Sequence, residues 1–324
     1  MLDDTASSVL SADLERLLQE TEGAAPSAAE GIFGPRSVSW KVNRESALFL
    51  AAGRAALLQL AHPWVAAAIA EHSRTLDDPI GRFHQTFRTM FTVVFAPTET
   101  ALTAARRLYR RHDSIRGKLP EATGRFVEGS SYQANDIAAL RWVYATLVDS
   151  ALLAYELVLP ELTQLEREQY YLESQKTACL FGIPRDCLPK DWAAFQQDFA
   201  MTLKSDIVVV SSGARNLADK LQAGAGLWMR PPFWYSALTA HLLPPRLRNE
   251  FRLPYGDREQ RSAERAVHWL RRIYPGLPAT LRFVGPYNEV QSRLHGRSSP
   301  SLAARLSNRL WIGQPSLLGS EDRD

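Results

Sequence analysis

Apolar positions along this chain recur at helical spacing almost everywhere, and prolines punctuate them. Between Arg44 and Ala61 the residues Ala47, Leu48, Leu50, Ala51, Ala55, Leu57, Leu58 and Leu60 leave no clean polar face, the pattern of a central, buried helix. From Pro79 to Val94, Phe83, Phe87 and Phe91 form a row at spacing four, while Arg82, Gln85 and Thr86 share another face at i, i+3 and i+4. The helix opened by Pro97 carries Leu102, Ala105, Tyr109 and His112 at spacings of three, four and three, a core-facing stripe ending on an imidazole. The run ALRWVYATLVDSALLAYEL predicts a further apolar helix with Thr146 inside it. Pro63, Pro79, Pro97, Pro160, Pro184, Pro189 and the pair Pro231–Pro232 cut the chain into segments of helical length. DIVVVSS, Asp206 to Ser212, is the one β-branched run, too isolated for a sheet. An all-α fold follows: one large multi-helix domain over 36–312, with a flexible lead-in over 1–35 and a flexible tail over 313–324.

Composition narrows the function classes. With 45% hydrophobic residues, 23% charged residues and a net charge of only +3 over 324 residues, the chain has a globular core but lacks the basic excess of a nucleic-acid binder. Cys179 and Cys187 form neither a disulfide framework nor a zinc spacing. The N-terminus starts acidic, without a basic stretch and apolar run, and Arg54, Gln59, His62 and Pro63 interrupt the apolar stretch Ala47 to Ala70. Together these features predict a cytoplasmic protein. The segment RPPFWYSALTAHLLPPRLR mixes aromatic residues with Arg, so peripheral membrane contact is a minor alternative there.

The common catalytic patterns are missing: no HExxH, no ExxH pair, no GxSxG elbow, no P-loop and no GxGxxG after a strand. What remains are polar residues on apolar helices. Arg54 and Glu45 either pair with neighbouring helices or line a polar pocket. A neutral imidazole emerging from an apolar wall, as at His112, is the donor an axial haem ligand requires. A satisfied core histidine is the plainer account. The arginines around it, Arg106, Arg107, Arg110, Arg111 and Arg116, form a solvated face or pair with the carboxylates of a bound cofactor. Arg82, Gln85 and Thr86 could form the opposite wall of a pocket, and Thr146 either adds a hydroxyl to it or bonds back to its own helix. His62, His72 and His84, at spacings of ten and twelve, do not share a helical face and lack a carboxylate motif, which disfavours a non-haem metal site.

The runs RESALFLAAGRAALLQLAHPWVAAAIAEHS, DPIGRFHQTFRT, RRLYRRHDSIRG, SSYQANDIAALRWVYATLVDS and YYLESQ…LFGIPRDCLP, in that order, resemble one family. It comprises the rubber oxygenase (latex clearing protein) catalytic domains and the fungal endoplasmic-reticulum-bound oxygenase of mycophenolic acid biosynthesis. LPPRLR and LPATLRFVGPYNEV extend the likeness to about residues 36 to 297. The resemblance implies a helical fold that holds haem b, with His112 as the proximal iron ligand. The family's distal Arg-x-x-Lys-Thr segment falls on Arg82, Gln85 and Thr86, with Gln85 in the lysine's place, where an amide can hydrogen-bond dioxygen. Thr146 matches a pocket hydroxyl, and Arg54 or Arg116 is expected to pair with the haem propionates. The implied activity is that of a haem-dependent oxygenase or oxidoreductase using dioxygen on a small apolar substrate: a lipid, isoprenoid or secondary metabolite. The alternative is a non-catalytic helical protein that binds an apolar ligand or partner. Should His112 not hold iron, His62 is the next candidate.

Overall fold

The structure is a computed structural model that describes residues 8–72, 78–223, 231–297 and 299–318. In chain order it begins with α1 (Ser11–Gly23), α2 (Val38–Asn43), a 3₁₀ segment (Ser46–Ala51), α3 (Ala52–Leu60), α4 (Pro63–His72), α5 (Pro79–Phe95) and α6 (Thr98–Asp113). After β1 (Arg116–Lys118) and β2 (Ser131–Gln133) come α7 (Ile137–Val158), α8 (Gln164–Leu180), α9 (Trp192–Lys204) and α10 (Ser212–Ala223). The chain ends in α11 (Phe233–Leu242), α12 (Pro245–Glu250), α13 (Asp257–Ile273), α14 (Ala279–Arg282), α15 (Gly285–Leu294) and α16 (Leu302–Ile312). The fold is all-α; among the described residues the one sheet is the antiparallel pair β1–β2, with Gly117 opposite Tyr132. The β-branched run after Asp206 forms no strand. Val208 and Val210 point into the core instead.

The most apolar long helix, α7, holds the molecule together because it serves two cores at once. Leu140, Tyr144, Val148 and Leu152 enter one cluster with Trp40, Phe91, Phe95 and Tyr171, while Trp142 enters another with Leu57, Leu58, Phe199 and Phe251. By length and composition α7 could cross a membrane, and 50% of its most apolar window is buried inside the protein. On α5 the expected aromatic row is core: Phe83, Phe87, Phe91 and Phe95 follow one another at 4.6, 5.8 and 5.9 Å between ring centroids. Phe49 joins this ladder and stacks on Trp311 of α16 at 3.6 Å.

Three expectations need correction. The helix expected over Arg44–Ala61 is broken, with 3₁₀ geometry to Ala51 and α geometry from Ala52. The Tyr235 hydroxyl causes a local interruption: it donates to Phe49 O at 2.8 Å and accepts from Gly53 N at 3.2 Å, occupying the two groups an α-helix would join directly. Gly53 also lets α11 approach, since a Cβ there would lie 2.6 Å from Thr239 Oγ1. The described part of the lead-in is not loose: α1 packs on α8, buries Leu14 and Leu18, and is clamped to α6 by a bidentate Arg106–Glu15 pair at 2.8–3.2 Å. Nor do residues 313–318 fray. Buried Glu289 accepts from Leu317 N at 2.7 Å, and Leu317 lies in the core.

Candidate functional site

Two prolines place the candidate residues. Pro79 opens α5, with the Asp78 side chain capping it by accepting from Gly81 N at 2.8 Å, and Pro97 opens α6 after a connection of two residues. So short a connection makes the two helices antiparallel neighbours. The first turn of α5 therefore lies beside the last turn of α6, which brings Arg82 to His112. Although one edge of the imidazole stays accessible, burial pushes its pKa down to about 4, aided by the Arg82 and Arg111 guanidiniums. Burial and the nearby Arg111 also lower the Arg82 pKa. Among the described residues, Arg82, Arg111 and His112 have no carboxylate partner.

Gln85 and Thr86 share the Arg82 face of α5, and both are exposed. The Thr86 hydroxyl donates to Arg82 O at 2.9 Å, which leaves its oxygen able to accept. The Gln85 amide and the Thr86 hydroxyl lie one turn along α5 from the Arg82 guanidinium, the group of this face that neighbours His112.

The other expected residues lie elsewhere. Arg54 is buried and committed: it pairs with Asp149 at 2.7 Å and donates to Ser150 Oγ at 2.7 Å and Leu242 O at 2.9 Å. Thr146 is fully buried, donates to Val143 O at 2.7 Å and accepts from Gln59 Nε2 at 3.2 Å. It sits nine residues beyond Ile137 on α7, or about 14 Å along the axis from the α7 start that adjoins α6. Arg54 and Thr146 are thus part of a polar seam between α3 and α7, separate from the Arg82–His112 pair. Arg116 is near the candidate ligand but is exposed and bonded to Asp113 Oδ1 at 2.9 Å. Glu45 likewise pairs with a neighbouring element, accepting from Arg282 Nε at 2.7 Å and Nη2 at 2.9 Å. For both Arg54 and Glu45, pairing between helices is the account the structure supports. The two chain-distant partners, Asp149 and Arg282, carried no sequence signal.

The donor set can be tested against a metal centre. Among the described residues, no three His, Cys, Asp or Glu side chains are placed to hold an ion. His72 Nε2 sits 3.0 Å from Arg116 O and His84 Nε2 3.1 Å from Leu310 O, on different elements from buried His62. One neutral imidazole beside two guanidiniums that lack carboxylates does not suit a bare cation. It suits a metal that brings its own ring of nitrogen ligands and its own two carboxylates, which is the chemistry of haem b. On this donor chemistry the residues fit the group.

Two cavities lie outside this face, and neither is lined by Arg82 or His112. One, of about 110 Å³, is mainly apolar and lies on the reverse side of α5, against Phe87, Met90, Phe91, Tyr144 and Leu147. The other, of about 100 Å³, contains His62 and Trp64. No sequence periodicity marks either one, since their walls come from segments far apart in the chain.

A protein-family profile described as "ER-bound oxygenase mpaB/B'/Rubber oxygenase, catalytic domain" matches residues 40–272. No curated protein and no solved structure matches the chain.

Proposed function

The chain belongs to the ER-bound oxygenase mpaB/B'/rubber oxygenase catalytic-domain family, and from that premise we propose that it is a haem b-dependent oxygenase acting with dioxygen on a small apolar substrate. The observation that carries the proposal is His112, a neutral imidazole beside Arg82 and Arg111, with no carboxylate paired to either arginine among the described residues. In this proposal His112 holds the iron through its unprotonated ring nitrogen, which burial keeps available at neutral pH. The bound haem would supply the redox chemistry of dioxygen. Arg111 is the cation that would balance a propionate; Arg54 would not, because Asp149 already occupies it.

The remaining roles are binding and orientation. The Gln85 amide and the Arg82 guanidinium are donors that can hold dioxygen or a polar end of the substrate, and the Thr86 oxygen can accept from such a group. Thr146, bonded to Gln59 and Val143, positions α3 against α7 rather than touching substrate. The apolar cavity behind Phe87 and Met90 supports a substrate with a lipid, isoprenoid or comparable hydrocarbon body.

The test is a titration of the purified chain with haemin, read by its visible absorption, followed by dioxygen uptake with candidate substrates. A saturating one-to-one Soret band is expected. If no band forms while the chain still binds apolar ligands, the non-catalytic alternative replaces this proposal.

A further inference from the structure

The 100 Å³ cavity lies where the start of α4 meets α7, α9 and the β1–β2 loop, and it shares no lining residue with the Arg82–His112 face. Two of its polar atoms are left without partners. His62 is 2% exposed, and its Nδ1 has no hydrogen bond; the buried Nε1 of Trp64 has none either. A buried polar group left unpaired costs about 1–3 kcal/mol, so two in one cavity call for a ligand. Phe126 sits over both rings, 5.2 Å from His62 and 5.1 Å from Trp64 between centroids. Trp142 and Phe199, stacked at 5.5 Å, add further aromatic wall. The Trp142 indole is already taken by Leu58 O at 2.8 Å, so the unused indole donor is that of Trp64. An Arg141–Asp198 pair at 3.7 Å supplies the charged part of the lining.

The two orphaned groups differ in character. An indole N–H can only donate, whereas a neutral imidazole has one nitrogen that accepts. With Nδ1 as the accepting nitrogen, a single small group that serves both accepts from Trp64 and donates to His62, and a hydroxyl does so. Apart from Arg125, Asp136 and Thr202, the remaining walls are mainly apolar and aromatic, which favours an aromatic body over a polar one. A cavity of about this size, below the roughly 150 Å³ of an apolar cavity that binds benzene, has room for at most one six-membered ring.

We infer that this cavity is a binding site for a phenol or small aryl alcohol, its hydroxyl held between His62 and Trp64 and its ring against Phe126 and Trp142. The site is independent of the proposed haem face and goes beyond that function.

The experiment uses phenol and benzene as probes on the full chain, by calorimetric titration and by ¹⁵N NMR of the histidine rings. Phenol should bind one-to-one, at least about tenfold more tightly than benzene, and should shift the His62 ring signals. Trp64→Phe should weaken phenol binding about tenfold, and His112→Ala should leave it unchanged. Equal affinity for the two probes overturns the assignment and leaves the cavity to water. So does binding that Trp64→Phe spares or His112→Ala abolishes, or an absence of phenol binding. If Trp64→Phe does not fold, the phenol-to-benzene ratio and the His62 signals of the unaltered chain decide the question alone.

Discussion

Arg82 and His112 meet across the antiparallel α5–α6 pair, and the guanidinium helps hold the imidazole neutral. Adjacent guanidiniums with no acid beside them among the described residues repel one another, so this arrangement is eased when an anion joins it. A ligand that brings carboxylates and a metal would relieve the repulsion and use the neutral ring nitrogen.

His112→Ala should therefore abolish or strongly shift the Soret band formed on haemin titration. It should cost little stability, because the imidazole is partly exposed and makes no hydrogen bond among the described residues. Absorption spectra and urea midpoints of the two proteins check this. A spectrum left unchanged would move the ligand elsewhere.

Arg54→Leu separates the seam from the site. Removing the guanidinium leaves Asp149 largely buried without its 2.7 Å partner, at a cost of about 3 kcal/mol. The folded variant should still take up haemin with the affinity of the unaltered chain. Denaturant unfolding and haemin titration measure the two effects, and a selective loss of haem affinity would restore Arg54 as a propionate partner.

The pair Glu45–Arg282 should behave as a structural clamp. Glu45 is fully buried, with Arg282 on both oxygens and the Tyr274 hydroxyl donating at 3.0 Å. Arg282→Met leaves that carboxylate only the Tyr274 hydroxyl and the longer Arg44 contact at 3.5 Å, and should destabilise by about 3 kcal/mol. The double variant with Glu45→Gln should recover part of the loss, a non-additivity that a double-mutant cycle detects. Additive effects would show that the pair is not coupled.

Acid sensitivity should arise in part from His62. Burial lowers its folded pKa to about 4, against 6.5 for the ordinary imidazole. Between these values the unfolded chain binds the proton and the folded chain does not, so stability rises with pH through this window and is lost as pH falls from about 6.5 toward 4. At pH 5 this one group should cost about 2 kcal/mol relative to pH 7. Urea midpoints of the unaltered chain and His62→Gln, compared at both pH values, should show a flatter dependence in the variant; parallel curves would refute the attribution.

Much was legible in the chain order of residues alone. Helical spacing and proline positions are local properties, so α5, α6 and α7 fall close to where periodicity puts them, and the Phe83–Phe87–Phe91 row is core as its spacing requires. The two-residue connection between α5 and α6 already implies that Arg82 and His112 are neighbours. The ordered motifs likewise implied the family that the profile match shows. Only the tertiary structure decided where the other polar residues go, because their partners lie about 90 to 240 positions away: Asp149 for Arg54, Gln59 for Thr146, Arg282 for Glu45. It also broke the helix after Ala51, through a tyrosine hydroxyl that arrives from α11. A buried charge or amide must find a partner, but local pattern does not say which one. For the same reason, the boundary between the Arg82–His112 face and the α3–α7 seam is a property of packing.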